Sequence, residues 1–443
     1  MDIRQPAHYM QKWLVFARTI YHSRVITDFF TYSCGAILLR AITFFLAPFI
    51  LRTISPEEYG ILALINSCVA IVAPIIGLGL RQVLTLEYFH CTGDKRYRLV
   101  NDIIVVYLFF CIPIFALLYG VRIPLQHYFC QRLLNNYLIL LALAQMGLYF
   151  FVELLYQLLG YERKVRTLIG LQISVAVITI SCSLVFVLKL DGGIVGVLAA
   201  QCVGSSIAAC FGIYCYYAEQ YHKALSYRAS IKKIIYYLKY GIPFIPGMVF
   251  AWVLASSNRW FLARYGTLYD VGIYAIADTF VQLFQMLILL PWSASYLPHI
   301  LTSYAQNSHD LFVVERRNQM LMYAAMTSVA FIIICAYISC TPLLRWLLPV
   351  SYHPAIEYIW PLLMAYVFLL GSYFASSLIQ FHKKNCFLAF AFCIPAVLNG
   401  MLNCVLIPRF GLYGCTTATF ISYVVYFGIV LGYNYRLQKK LHI

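Results

Sequence analysis

The stretch Thr167–Leu188, TLIGLQISVAVITISCSLVFVL, contains no charged residue; Arg163, Lys164 and Arg166 precede it and Lys189 follows. As a helix rising about 1.5 Å per residue it spans roughly 33 Å, close to the ~30 Å hydrocarbon core of a bilayer. Lipid offers no partner for backbone N–H and C=O groups, so such a run must bond internally as a helix. Runs of the same kind recur along the chain, near 28–51, 60–80, 101–121, 133–159, 167–188, 194–217, 240–262, 273–296, 318–345, 355–380, 385–406 and 412–435. With 63% hydrophobic and 11% charged residues, the composition leaves little room for anything else. The chain reads as an all-α membrane protein with 12 transmembrane helices.

The 32 Lys and Arg residues sort by loop. Alternate loops and both termini hold 23 of them, the other loops 8, and Arg40 lies inside the first span. Basic residues concentrate on the cytoplasmic side, so both termini are expected inside. The net charge of +16 then reflects topology and anionic lipid headgroups rather than a nucleic-acid partner. The first 27 residues carry no uninterrupted apolar run of the signal-peptide kind and suit a helix lying on the inner surface.

Several chemistries find no foothold. The 15 cysteines lack metal spacing, and pairs such as Cys210 and Cys215 sit within apolar helices, where Cys packs as a small hydrophobe. Histidines avoid the middles of the spans, which argues against haem or an intramembrane metal. There is no Gly-rich phosphate loop and no loop long enough for a soluble catalytic domain. No cofactor is expected, and no enzymatic activity.

The two halves repeat. FILRTISPEEYGILA, from Phe49, aligns without gaps with FLARYGTLYDVGIYA, from Phe261, pairing Ser55 with Thr267, Glu58 with Asp270 and Gly60 with Gly272. GIVGVLAAQ, from Gly193, aligns with GLYGCTTAT, from Gly411. The offsets, 212 and 218, enclose six spans, so the halves are parallel repeats about an axis near the membrane normal, an arrangement known among transporters. Expected units are a cytoplasmic segment 1–27, a six-helix bundle 28–217, an amphipathic inner-surface linker 218–239, a second bundle 240–435 and a tail 436–443. The paired glycines are expected to supply permissive backbone angles where a polar turn opens the next span.

LLRAITFFLAPFILRTISPEEYG with GLGLRQVLTLEYF, LKYGIPFIPG with SSNRWFLARYGTLYDVGIYAIADTF, and IPRFGLYGCTTATFISY together resemble bacterial polysaccharide transporters of the O-antigen flippase type. That family belongs with the multidrug and toxin extrusion (MATE) proteins and the peptidoglycan-precursor flippase. The resemblance implies a MATE-like two-lobe transporter whose cavity opens to each side in turn. It implies a polyprenyl-pyrophosphate-linked glycan as substrate, a bacterial cytoplasmic (inner) membrane as location, and membrane lipids and other polysaccharide-assembly membrane proteins as partners. One departure is Asn258, which stands before Arg259 where the family often has Asp.

Ionisable groups at bilayer depth are costly and face a cavity or a partner. Arg40, near the middle of the first span, fits either a cavity guanidinium holding phosphate oxygens or a structural ion pair. Arg81 ends the second span on the inner side and Arg259 the seventh on the outer side; snorkelling and substrate capture both explain them. Asn66 and Asp278, offset by 212, are expected at equivalent depths facing a shared cavity. Glu153 and Asp278 are candidate proton or cation sites, with pairing to a nearby cation as the alternative for Glu153. A multidrug or cation antiporter of similar fold is the competing function, and a membrane glycan polymerase a more distant one, since its chemistry needs a large outer loop. Reporter fusions after residues 55, 128, 191, 268, 350 and 410 should read outside, and after 95, 163, 230, 310 and 384 inside; two adjacent reversals would overturn the twelve-span reading.

Overall fold

The computed structural model describes residues 48–88, 91, 93–123, 135–162, 164–218, 231–289, 296–306 and 310–440. The expected first span, apart from its last turn, lies outside the described residues, and Arg40 with it. The first half comprises α1 (Pro56–Ile76), α2 (Leu80–Glu87), α3 (Asp94–Gly120), α4 (Asn136–Tyr161), α5 (Val165–Leu188) and α6 (Gly193–Ala218). The second comprises α7 (Ile231–Gly241), α8 (Ile245–Ser256), α9 (Asn258–Tyr265), α10 (Leu268–Phe284), α11 (Leu297–Gln306), α12 (Leu311–Leu347), α13 (Ala355–Phe381), α14 (Asn385–Ala391) and α15 (Cys393–Lys440). Among the described residues there is no strand, and 8 helices are long and apolar enough to cross a membrane. From the second onward, each expected span coincides with helix over most of its described length.

The repeat in sequence is a repeat in local chemistry. Glu58 N–H donates to Ser55 Oγ at 3.3 Å while Ser55 N–H donates to Glu58 Oε2 at 3.1 Å. Asp270 N–H and Thr267 N–H make the same reciprocal pair at 3.1 and 3.0 Å. Both capping boxes satisfy otherwise orphaned N–H groups at the starts of α1 and α10, each cap contributing about 1 kcal/mol. They set the two helices off at matching positions, and α1 and α10 then pack along each other.

Gly60 and Gly272 meet at that packing. A methyl group on Gly60 would drive into the Leu268 carbonyl oxygen and lie 3.1 Å from Gly272 N. One on Gly272 would drive into the Pro56 carbonyl oxygen and lie 3.2 Å from Gly60 N. The contact is symmetric, because Leu268 is the repeat equivalent of Pro56. Lipid gives helices no hydrophobic reason to associate, so close backbone approach between small residues supplies the attraction. This corrects the expected role: neither glycine has positive φ, and what each contributes is a missing side chain. Tyr352 reinforces the same end, donating from its hydroxyl to the Ile54 carbonyl at 2.9 Å and meeting Tyr59 edge-on at 6.1 Å.

The second repeat match uses glycine differently. Gly193 and Gly411 have φ of 48° and 56°, reversing the chain where α6 and the second part of α15 begin. Three residues on, Gly196 and Gly414 admit the end of the preceding helix, against the carbonyl oxygens of Phe186 and Leu406.

At the opposite end of α1 the halves are tied by α7. The expected amphipathic helix is present from Ile231, but its apolar face does not lie free on a surface. Ile234, Tyr237 and Leu238 pack with Val83, Leu84 and Leu99 of the first half, and Tyr236 donates to Glu87 Oε1 at 3.2 Å. A 3₁₀ turn, Ile242–Phe244, with Pro243, carries the helix on into α8.

The core of the second half centres on α13, which is buried over most of its length. A polar knot fastens its end. Glu315 of α12 is buried and accepts from the Tyr304 hydroxyl of α11, from Asn434 at 3.1 Å and Gln438 at 3.3 Å on α15, and from Asn318 at 3.3 Å. With both oxygens supplied by donors, the buried carboxylate is satisfied without a cation. The Gly60–Gly272 contact has a direct check. Gly60→Ala or Gly272→Ala should lower the thermal unfolding temperature of the purified protein by several degrees, as overpacking of about 1–3 kcal/mol does. Gly120→Ala, where a methyl group meets nothing within 4 Å, should not. Equal melting of all three would mean the two helices are not in contact there.

Candidate functional site

Between the halves, below the glycine contact, lies a cavity of about 610 Å³. Its walls are Asn66, Ser67 and Ala70 of α1, Ala255, Ser256 and Arg259 of α8 and α9, and Tyr366 and Tyr373 of α13. The fourth wall is α10 and the π turn that follows it, Gln285–Leu289. Asp278, Gln282 and Gln285 recur there at four- and three-residue spacing, so one helical face presents a carboxylate and two amides in an otherwise apolar span.

Arg259 stands opposite. Arg259 Nη2 and Asp278 Oδ2 are 2.5 Å apart, with side chains 12% and 8% exposed. Gln282 Nε2 donates to the same oxygen at 3.0 Å. Arg259 Nε is buried with no hydrogen-bond partner. A guanidinium has five N–H groups in a planar fork, and a carboxylate engaged at one of them leaves capacity for a further anion. Removing either partner alone would leave an uncompensated charge, the state that costs most in a low-dielectric site.

The seventh span passes from α8 to α9 at Ser257, whose backbone stays right-handed helical, its N–H donating to the Val253 carbonyl at 3.2 Å and its carbonyl accepting from Phe261 N–H at 3.1 Å. Asn258 anchors this junction. Its Nδ2 donates to the Tyr274 hydroxyl and to Thr419 Oγ1, each at 2.8 Å, and its Oδ1 accepts from Asn403 at 2.7 Å. The Asn that departs from the family pattern is thus the joint between α9, α10 and α15. On the first-half side, Trp252 Nε1 donates to the Ser67 carbonyl at 3.0 Å and Trp260 Nε1 to Ser67 Oγ at 2.8 Å, so two indoles from the second half grip α1 beside Asn66.

Three of the residues singled out in the sequence therefore share one cavity: Asn66, Arg259 and Asp278. Arg259 differs from its expected setting. Its helix continues to Tyr265, so the guanidinium lies in the cavity wall, not at an outer span end. Arg81 and Glu153 are elsewhere and satisfy each other at 3.0 Å. Arg81 is not the end of the second span; a left-handed turn at Leu78 and Gly79 starts the separate helix α2. Arg81 Nε also donates to Gln157 Oε1 at 3.3 Å, while the Gln157 amide and the Tyr161 hydroxyl each reach Thr85 Oγ1 at 2.8 Å. That cluster staples α2 to α4. Ser67, Gln282, Gln285, Tyr366 and Tyr373 were not foreseen, although the spacing of Gln282 and Gln285 from Asp278 was available in the sequence.

A family model described as polysaccharide biosynthesis protein matches residues 25–304. Among curated proteins none matches. Among solved structures, the lipid II flippase MurJ in an inward closed conformation superposes with a TM-score of 0.68 at 15% identity, over 90% of this chain and 86% of that one. A multidrug resistance MATE family transporter of the MOP superfamily in its inward-facing conformation gives 0.68 at 13% identity, over 91% and 95%. An outward-facing conformation of a MATE family transporter gives 0.61 at 12% identity, over 95% and 97%. At these identities the likeness establishes the fold: a transporter fold of the kind shared by MurJ and the MATE proteins.

Proposed function

As the chain belongs to the polysaccharide biosynthesis protein family and has the fold of a membrane transporter, we propose that it is a flippase for a polyprenyl-pyrophosphate-linked oligosaccharide. The cargo is an O-antigen, capsule or similar repeat unit, moved from the inner to the outer leaflet of the cytoplasmic membrane by alternating access. The observation that carries this reading is Arg259 in the wall of the cavity between the halves, held by a single carboxylate and with one N–H group unused.

In the proposed cycle the pyrophosphate enters the cavity and competes with Asp278 for Arg259. A diphosphate offers several anionic oxygens to the guanidinium fork, against the single oxygen that Asp278 engages. Asn66, Ser67, Ser256, Gln285 and the two tyrosines give donors and acceptors for sugar hydroxyls, while the polyprenyl chain stays in lipid. Asp278, released from its partner, becomes a cavity carboxylate able to take a proton, which gives it the coupling role. Glu153, already neutralised by Arg81, is the weaker candidate for that role. The Pro56 and Leu268 end is the outer gate, shut by Gly60 and Gly272, and must part for release.

The MATE neighbours and the cavity carboxylate keep an antiporter for cations in view as the second reading. One set of variants separates the two. In cells depending on this chain for surface glycan, Arg259→Ala should stop its appearance while lipid-linked precursor accumulates inside, and Arg259→Lys should restore part of it. The alanine variant should be scarce, because Asp278 is left unpaired at a cost of about 3–5 kcal/mol. Arg259→Ala with Asp278→Asn should restore abundance but not export. Full export by an abundant Arg259→Ala protein would overturn the flippase mechanism. Loss of drug resistance in Asp278→Asn with export unchanged would favour the antiporter.

A further inference from the structure

A second recess, about 930 Å³, opens at the same end of the molecule as the glycine contact but on the flank of the second half. Three elements form it: the last turns of α12, the loop to α13 with the first turn of that helix, and Tyr413 of α15. The non-helical backbone at Gly411 brings Tyr413 across to α13, where its hydroxyl donates to Glu357 Oε2 at 3.0 Å. His353 Nε2 lies 3.0 Å from the Arg345 carbonyl and 3.1 Å from that of Leu348. Both neighbours are acceptors, so this nitrogen carries the proton and closes the C-terminus of α12.

The recess contains one full charge of each sign, and they do not neutralise each other. Among the described residues, the guanidinium of Arg345 forms no hydrogen bond or ion pair, and Glu357 accepts only from the neutral Tyr413. Two half-exposed rings, Tyr337 at 51% and Tyr413 at 52%, stand beside them. A recess with a free guanidinium, a separate carboxylate and open aromatic rings complements a ligand that is itself zwitterionic. The guanidinium suits a phosphate, and the carboxylate with the Tyr rings suits an ammonium group.

The surface leading into the recess identifies the rest of the ligand. Phe331, Ile334, Ile338, Thr341 and Arg345 follow one another at three- and four-residue spacing, so they form one stripe along α12. The first three are exposed at 67, 51 and 72%, an apolar track with nothing packed on it among the described residues. The stripe turns polar at Thr341 and cationic at Arg345, as the surface of a membrane helix does where hydrocarbon gives way to headgroups. With 37 residues, α12 is about 55 Å long and outreaches the ~30 Å hydrocarbon core, and Trp346, 79% exposed, marks the interface beside the recess.

We propose that this recess is a binding site for an aminophospholipid. The phosphate sits on Arg345, the primary ammonium on Glu357 between Tyr337 and Tyr413, and an acyl chain along Phe331, Ile334 and Ile338. A carboxylate can accept hydrogen bonds from a primary ammonium but not from a quaternary one, so the site prefers phosphatidylethanolamine to phosphatidylcholine. It also disfavours phosphatidylglycerol, which brings no cation to Glu357.

The test uses the full-length protein in nanodiscs made from equal parts of phosphatidylethanolamine, phosphatidylcholine and phosphatidylglycerol, with retained lipids counted by native mass spectrometry. Phosphatidylethanolamine should be retained roughly ten-fold over phosphatidylcholine, the scale of one charge-assisted hydrogen bond in a half-exposed site. Glu357→Gln should abolish that preference, and Arg345→Ala should reduce retention of both zwitterionic lipids. Glu57→Gln, an exposed carboxylate at the same end, should change neither. Equal retention of the three lipids by the native protein, or an unchanged preference in Glu357→Gln, would overturn the proposal.

Discussion

Two glycines with no side chain between them set the geometry of this protein. Gly60 lies against the Leu268 carbonyl and Gly272 against that of Pro56, so α1 and α10 approach to backbone contact at one end. A hydrocarbon solvent does not drive helices together by hydrophobicity, so the two halves are held by such close contacts and by a few hydrogen bonds that lipid cannot replace. The capping boxes at Ser55 and Thr267 start both helices at matching positions, which makes the glycine contact symmetric. Everything below that contact follows from it: α1 and α10 bound the cavity, and Asn66 and Asp278, one repeat apart, line it together.

The charged groups of the membrane interior divide by what surrounds them. Arg81 and Glu153 end in one another and in a ring of amide and hydroxyl groups, an arrangement that joins two helices. Glu315 is enclosed by neutral donors and, through Asn318 and Asn434, which also donate to the Phe374 and Ala375 carbonyls of α13, fastens four helices. Arg259 and Asp278 differ in lining a cavity, and Arg259 Nε is a buried donor with no hydrogen-bond partner. Both kinds of pair avoid the cost of a bare charge in a low dielectric. Only the second borders the cavity between the halves.

Much of this was readable in the residues, for definite reasons. Long apolar runs dictate helices in lipid, and the repeat was visible because capping boxes and backbone contacts tolerate few residue types. The placing of Asn66 and Asp278 on one cavity agrees with their offset of one repeat. What the glycines do was misread, since a sequence does not distinguish a residue needed for its backbone angle from one needed for its lack of bulk. The depth of Arg259 was hidden because hydropathy does not show that its helix runs on to Tyr265, nor that Asn258 beside it is held by Tyr274, Asn403 and Thr419. The pairing of Arg81 with Glu153, and the knot around Glu315, join residues too distant in sequence for any spacing rule to connect.

In the proposed mechanism the glycine contact is a gate whose opening is tied to an anion on Arg259. Hydrogen–deuterium exchange of the segments 53–63 and 265–275 reads that gate directly in the unmodified protein. In membranes supplied with a polyprenyl-pyrophosphate-linked oligosaccharide, exchange in both segments should rise together above the level without it, and Arg259→Ala should abolish the rise. Transport of that lipid with both segments as protected as at rest would contradict the account.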